Sequence, residues 1–207
     1  MTRRVSMIAV GASWGGLKAL RAIAHGLPAH FRVPITFVQH RSKESAALRD
    51  LLQDCTSLIV CEVEDKQPIM GGYVYLAPPD YHLLVDGDEF SLSVDEPVRY
   101  SRPSIDVFFE SVADRFGAAA VGVVLTGANE DGAEGLRQIA ARGGLAVVQD
   151  PRTAESAIMP RAALRAVPTA QTLPLERMTP YLVSLATGEE NEQGHRNRTG
   201  GTDEVRA

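Results

Sequence analysis

Hydrophobic residues in this chain come in two alternating textures. Short unbroken runs stand at 6–12 (SMIAVGA), 34–40 (PITFVQH), 57–63 (SLIVCEV), 72–78 (GYVYLAP), 119–127 (AAVGVVLTG) and 143–150 (GGLAVVQD). Runs of this length, rich in Val, Ile and Leu with little alternation, predict strands covered on both faces, as in a parallel sheet. Between them, residues 15–27, 44–55, 104–116 and 130–143 carry apolar positions at helical spacing. In the third, Ile105, Phe108, Phe109 and Val112 recur at i, i+3, i+4 and i+7, and Ser104, after Pro103, is placed to cap the helix. Such alternation predicts an α/β fold, a doubly wound and mostly parallel sheet with helices on both faces.

Two stretches break the rhythm. Residues 81–96 (YHLLVDGDEFSLSVDE) place Asp86-Gly87 between apolar runs, which predicts an antiparallel hairpin excursion. From Gly188 the chain reads GEENEQGHRNRTGGTDEVRA, too poor in apolar residues to bury a core. The expected organisation is one domain over 1–187 and a disordered polar tail over 188–207.

Composition narrows the class. The chain has 207 residues and a net charge of -5, so no global basic field points to nucleic acid or anionic lipid. No secretory signal and no apolar run near 20 residues is visible, so a cytoplasmic location without membrane insertion is expected. Cys55 and Cys61 match no zinc spacing; with 57–60 as strand, both thiols fall on one face, too far apart to bond, and read as reduced. No metal or organic cofactor is implied.

Candidate chemistry opens at residues 8–20, IAVGASWGGLKAL. A phosphate cradle and an exposed serine both use a strand, a glycine turn and a helix start. The glycines at 11, 15 and 16 miss the G-x-G-x-x-G spacing, and no G-K-[ST] follows, so a nucleotide-binding α/β domain fits less well. Gly11-Ala12-Ser13-Trp14-Gly15 does match G-x-S-x-G, a sharp strand-to-helix turn that lifts a serine hydroxyl above the sheet. The Trp14 amide is then a candidate oxyanion donor.

A nucleophilic serine needs a base, and the base an orienting acid. His40 ends the second predicted strand, and Asp131 follows the VGVVL strand in LTGANEDG. All three thus stand at strand C-termini, where open α/β sheets form their sites. Blander roles stay open: His40 as a strand-end histidine, Asp131 or Glu130 as a helix cap, Trp14 as a surface aromatic. Met159 and Pro160 either line a cleft or close the core.

These blocks, with VGASWGGLKAL, FVQHRS, VYLAPPDYHLLV, RPSIDVFFESVA, VVLTGANEDGAEGLRQI, VVQDPRTAESAIMPRAAL and TLPLERM, resemble the catalytic domain of the CheB-type chemotaxis receptor methylesterases over residues 5 to 185. The resemblance implies a doubly wound α/β esterase acting on glutamate methyl esters of methyl-accepting chemoreceptors, with methanol released and glutamine deamidation as a companion activity. It places the nucleophile on Ser13, the histidine on His40 and the aspartate on Asp131. Trp14, Ala128 and Met159 are the expected oxyanion or substrate residues, and Arg41, Arg99 and Arg102 candidates for meeting an acidic receptor helix. The chain departs from the family's T-G-M-G-x-D-G at Ala128 and Asn129. Family members usually carry an N-terminal receiver domain; about seven residues before the first strand leave no room for one, so constitutive activity or control by a separate protein is expected. A silent receptor-binding module of the same fold is the competing class.

Overall fold

The computed structural model describes residues 4–41 and 47–188. Its first strand, β1 (Met7–Ala12), shows why an unbroken apolar run was needed. Met7 and Ala9 enter the core on one side of the sheet, while Ile8 and Val10 enter the core on the other. A strand covered on both faces has no position for a polar residue.

Around β1 lie β2 (Ile35–Gln39), β3 (Ile59–Glu62), β4 (Tyr73–Leu76), β7 (Ala120–Val124), β8 (Leu145–Gln149) and β9 (Gln171–Leu173). They form one seven-stranded sheet in the order β3-β4-β2-β1-β7-β8-β9, parallel throughout. Helices α1 (Gly16–Gly26), α2 (Leu48–Gln53) and α6 (Leu175–Thr187) cover one face; α3 (Ile105–Phe116), α4 (Ala133–Ala141) and α5 (Ile158–Ala166) cover the other. The doubly wound parallel α/β architecture expected from the pattern is therefore observed. The winding reverses at β1, with β2 on one side and β7 on the other. That reversal opens a crevice beyond the carboxyl ends of these strands.

The hairpin expected over 81–96 forms from β5 (His82–Asp86) and β6 (Glu89–Ser93), closed by the Asp86–Glu89 pair. Gly87 turns it with φ +62°, a conformation glycine adopts without a Cβ penalty. Val85 N–H donates to Ser111 Oγ at 3.0 Å, tying the hairpin to α3.

Several expectations needed adjustment. The 119–127 run is strand only to Val124 and starts after a short 3-10 turn at Gly117–Ala119. Of the helix expected at 44–55, Leu48–Gln53 is helical and 44–46 lie outside the described residues. Cys55 sits just past α2, its Sγ donating to Leu51 O at 3.0 Å, so it does not share a strand face with Cys61; both thiols are free. Helices α5 and α6 went unread because Pro160 and Pro180 interrupt their patterns; Pro160 is tolerated in a first turn, where its missing N–H costs no helical bond. The polar tail expected over 188–207 lies, beyond Gly188, outside the described residues.

One close approach sets the position of α3 against the sheet. A Cβ on Gly11 would collide with Ile105 Cγ2 at the start of that helix. Gly11→Ala is expected to cost roughly 1–3 kcal/mol by overpacking, measured by urea unfolding. Most of that loss should vanish in an Ile105→Ala background; an equal loss in both backgrounds would show that this contact does not set the spacing.

Candidate active site

The serine turn is held from three sides. Ser13 N–H donates to Thr126 O at 3.0 Å, and Ser13 O accepts from Gly16 N–H and from Gln39 Nε2, both at 2.8 Å. Gly15 turns the chain with φ +76°, and α1 begins directly after it. At Gly16 the need is for space: a Cβ there would strike the Gln39 side chain. Thr126 adds a further tie, its Oγ1 donating to Trp14 O at 2.9 Å while accepting Ser156 N–H at 2.9 Å. These bonds keep the Ser13 backbone fixed while its hydroxyl stays partly exposed.

His40 follows β2, and its own N–H donates to Ala12 O at 3.2 Å, which brings the ring beside the serine. His40 Nδ1 lies 3.2 Å from Ser13 Oγ, and His40 Nε2 lies 2.7 Å from Asp131 Oδ2. The structure thus brings Ser13, His40 and Asp131 into one hydrogen-bonded row from three separate strand ends.

Asp131 is 1% exposed, and five donors converge on its carboxylate. Oδ2 accepts His40 Nε2–H and Ile105 N–H, each at 2.7 Å. Oδ1 accepts Ser104 Oγ–H, Asp106 N–H and Gly132 N–H, each at 3.0 Å. Ile105 and Asp106 are the first residues of α3, so the carboxylate sits on the unpaired amides and positive dipole end of that helix. It therefore caps α3 and not the α4 helix that follows it in sequence. Ser104 caps α3 as its spacing suggested, with Oγ accepting Val107 N–H at 3.4 Å.

The other expected site residues divide. Trp14, 66% exposed, and Ala128 line an open cleft of about 870 Å³ together with Ser13 and His40. Met159 does not reach that cleft; it is wholly buried under Gly127, where a Cβ would collide with its Sδ. Its contact supports the loop from beneath, and Pro160 is buried with it. Arg41 turns inward to Glu62 at 2.5 Å, and Arg102 holds the carbonyls of Val94 and Asp95 at 2.8 and 3.0 Å. Arg99 remains half-exposed, 3.9 Å from Asp106 Oδ2. His82 is buried and accepts Ser104 N–H at 3.2 Å, behind the Asp131 carboxylate. Among the described residues no cluster of His, Cys, Asp or Glu is arranged to hold a metal ion.

Sequence reasoning missed Gln39, Thr126 and Asp106, and marked Asn129 only as a departure from the family loop. Each acts through a neighbour brought in by the fold, and adjacency to a site residue hinted only at Gln39, directly before His40.

Two buried carboxyls stand close together here, and their proton affinities diverge. Burial of Asp106, with the adjacent Asp131 charge, pushes its carboxyl up to about 6, against an opposing bond from Gly135 N–H. Burial would raise Asp131 too, but the His40 bond and the N–H groups of Asp106 and Ile105 outweigh it and hold the carboxyl below the ordinary range. The signs of linkage are opposite. Asp106 binds its proton more tightly when folded, so its stabilising contribution is complete below its ordinary value of 3.8 and fades as pH rises through 6. That of Asp131 is present above 3.8 and fades as pH falls. Asp106→Asn, which retains an acceptor for Gly135 N–H, is expected to gain stability relative to wild type as pH rises from about 4 to about 7. Urea unfolding across that range checks it, and a pH-independent difference would contradict the raised affinity.

Comparison with known proteins agrees with this architecture. Residues 8–182 match the family model described as CheB methylesterase. A protein of Leptospira interrogans, named for protein-glutamate methylesterase and protein-glutamine glutaminase activities, is 44% identical over 180 residues, covering 86% of this chain and 93% of that one. A Maricaulis maris protein-glutamate methylesterase/protein-glutamine glutaminase is 36% identical over 192 residues, with 90% of this chain matching 48% of the relative. The crystal structure of the Thermotoga maritima CheB methylesterase catalytic domain superposes with a TM-score of 0.83 at 28% identity, over 87% of this chain and 98% of that domain. With the family model matched across most of the chain and both sequence and fold in agreement, this protein belongs to the CheB methylesterase family.

Proposed function

We propose that this chain hydrolyses the γ-methyl ester of glutamate side chains on a methyl-accepting chemoreceptor, using Ser13 as nucleophile, His40 as general base and Asp131 as the orienting acid. The observation that carries the reading is the row Ser13 Oγ, His40 Nδ1, His40 Nε2, Asp131 Oδ2, with steps of 3.2 and 2.7 Å. The family membership and the named activities of the Leptospira interrogans and Maricaulis maris relatives supply the substrate class.

The chemistry follows from the geometry. As Ser13 Oγ attacks the ester carbonyl carbon, its proton passes to His40 Nδ1. The imidazolium that forms is stabilised through Nε2–H by a carboxylate held ionised by its five donors. Charge gathers on the former carbonyl oxygen. Among the described residues the N–H groups of Trp14 and Ala128 bond to no protein acceptor, and both residues border Ser13 in the cleft, so they are assigned to that oxyanion. His40 returns its proton to the leaving methoxide, methanol departs, and a water activated by the same nitrogen releases the acyl group. With a glutamine amide as substrate, ammonia leaves in place of methanol. We assign this activity to residues 1–187 as one unit.

A silent binding module of the same fold makes a different prediction. Methanol release from methylated chemoreceptor cytoplasmic fragments is expected for wild type and lost in Ser13→Ala and His40→Ala. Asp131→Asn should lower kcat by on the order of 10⁴, the loss seen when a serine triad keeps its shape but not its tautomer. Release that survives Ser13→Ala would remove the serine from its assigned role, and a wild type that binds fragments without releasing methanol would favour the binding module.

A further inference from the structure

The base nitrogen of His40 has a second neighbour. Asn129 Nδ2 lies 3.1 Å from His40 Nδ1, marginally closer than Ser13 Oγ at 3.2 Å. Which end of the Asn129 amide faces the ring is settled by its other contact: Oδ1 accepts the backbone N–H of Asp131 at 3.2 Å. The NH₂ end must therefore point to His40, and an amide NH₂ can only donate. A nitrogen that receives a donor carries a lone pair and no proton.

We propose that Asn129 is a positioning residue that holds His40 in the neutral tautomer with its proton on Nε2 and its lone pair on Nδ1, the form able to take the Ser13 proton. The inference rests on the esterase reading above for its catalytic consequence, but the tautomer itself is a property of the resting protein. Asp131 and Asn129 act on opposite nitrogens of one ring. The carboxylate accepts at Nε2 and so requires a proton there; the amide donates at Nδ1 and so excludes one. One loop supplies both instructions, since Asn129 and Asp131 are joined by their own Oδ1–N–H bond.

The arrangement also constrains the chemical step. When Ser13 Oγ–H breaks and its proton moves to Nδ1, that lone pair becomes an N–H bond, and the Asn129 N–H can no longer donate to it. The Asn129 contact belongs to the state before proton transfer and must open as Ser13 attacks. The second proton, on Nε2, stays in place between the ring and Asp131 throughout.

The test is Asn129→Asp. Its carboxylate is the same size, keeps an oxygen for Asp131 N–H, and replaces the donor facing Nδ1 with an acceptor. On the full chain labelled with ¹⁵N-histidine, wild-type His40 is expected to show an unprotonated Nδ1 and a protonated Nε2. Asn129→Asp should show protons on both nitrogens at the same neutral pH, and its kcat for methanol release should fall roughly tenfold or more with KM little changed. Asn129→Ala, which removes the donor without adding charge, should move the Nδ1 resonance toward that of a nitrogen with no donor; this variant decides the matter if the Asp variant does not fold. Unchanged His40 nitrogen resonances in both variants would overturn the proposal and leave Asn129 as a turn residue that only shapes the Asp131 loop. If wild type releases no methanol, the esterase reading fails separately, and the nitrogen resonances still decide the role of Asn129.

Discussion

Everything at this site hangs on one buried carboxylate. Asp131 receives the imidazole N–H of His40, the hydroxyl of Ser104 and three backbone amides, two of them at the start of α3. An ionised group nearly without solvent contact is costly unless its lone pairs are filled, and here they are. The same set of donors joins elements distant in sequence: β2 through His40, the start of α3, and the loop after β7. Pulling the carboxylate away would at once unpair a helix terminus and release the imidazole. Capping of α3 and the orientation of the His40 ring are one interaction seen from two sides.

Around that anchor the fold works by close approach. Gly11 lets α3 come down onto β1, Gly16 makes room for Gln39, and Gly127 rests on Met159. Each absent side chain admits a group that steadies the serine turn or the loop facing it. At Gly15 and Gly132, at φ +76° and +89°, the backbone conformation itself calls for glycine. The neighbouring Asp106 shows the cost of burying a second carboxyl here: loss of solvent, with the Asp131 charge beside it, drives it toward its neutral form. The site therefore holds one carboxyl as an anion bonded to His40 and discourages the charge of the other.

The parallel sheet was legible because burial on both faces leaves a signature that needs no partner: an apolar run without alternation. The hairpin announced itself through Asp86-Gly87, whose turn chemistry is local. Helices α5 and α6 escaped because prolines broke their periodicity, while their real support comes from the sheet they cover. Met159 is instructive in the opposite way. Adjacent to a proline in a family-like block, it read as a residue of the cleft or of the core, and its depth depends on Gly127, 32 positions earlier in the chain.

What the sequence determined by itself was the set of candidate groups and their placement at strand ends. Ser13, His40 and Asp131 follow β1, β2 and β7, and a doubly wound sheet brings such ends to one crevice. Tertiary structure alone decided which atoms meet. That His40 turns Nδ1 to the serine and Nε2 to the aspartate, that Asp131 caps α3 and not its own following helix, and that Asn129 Nδ2 meets His40 Nδ1 all depend on contacts between segments 26 to 91 residues apart. Local patterning encodes what each segment is, because propensity and burial act over a few residues. Hydrogen-bond partnership across the crevice is set by distances of a few tenths of an ångström that exist only once the sheet, its helices and their loops have packed.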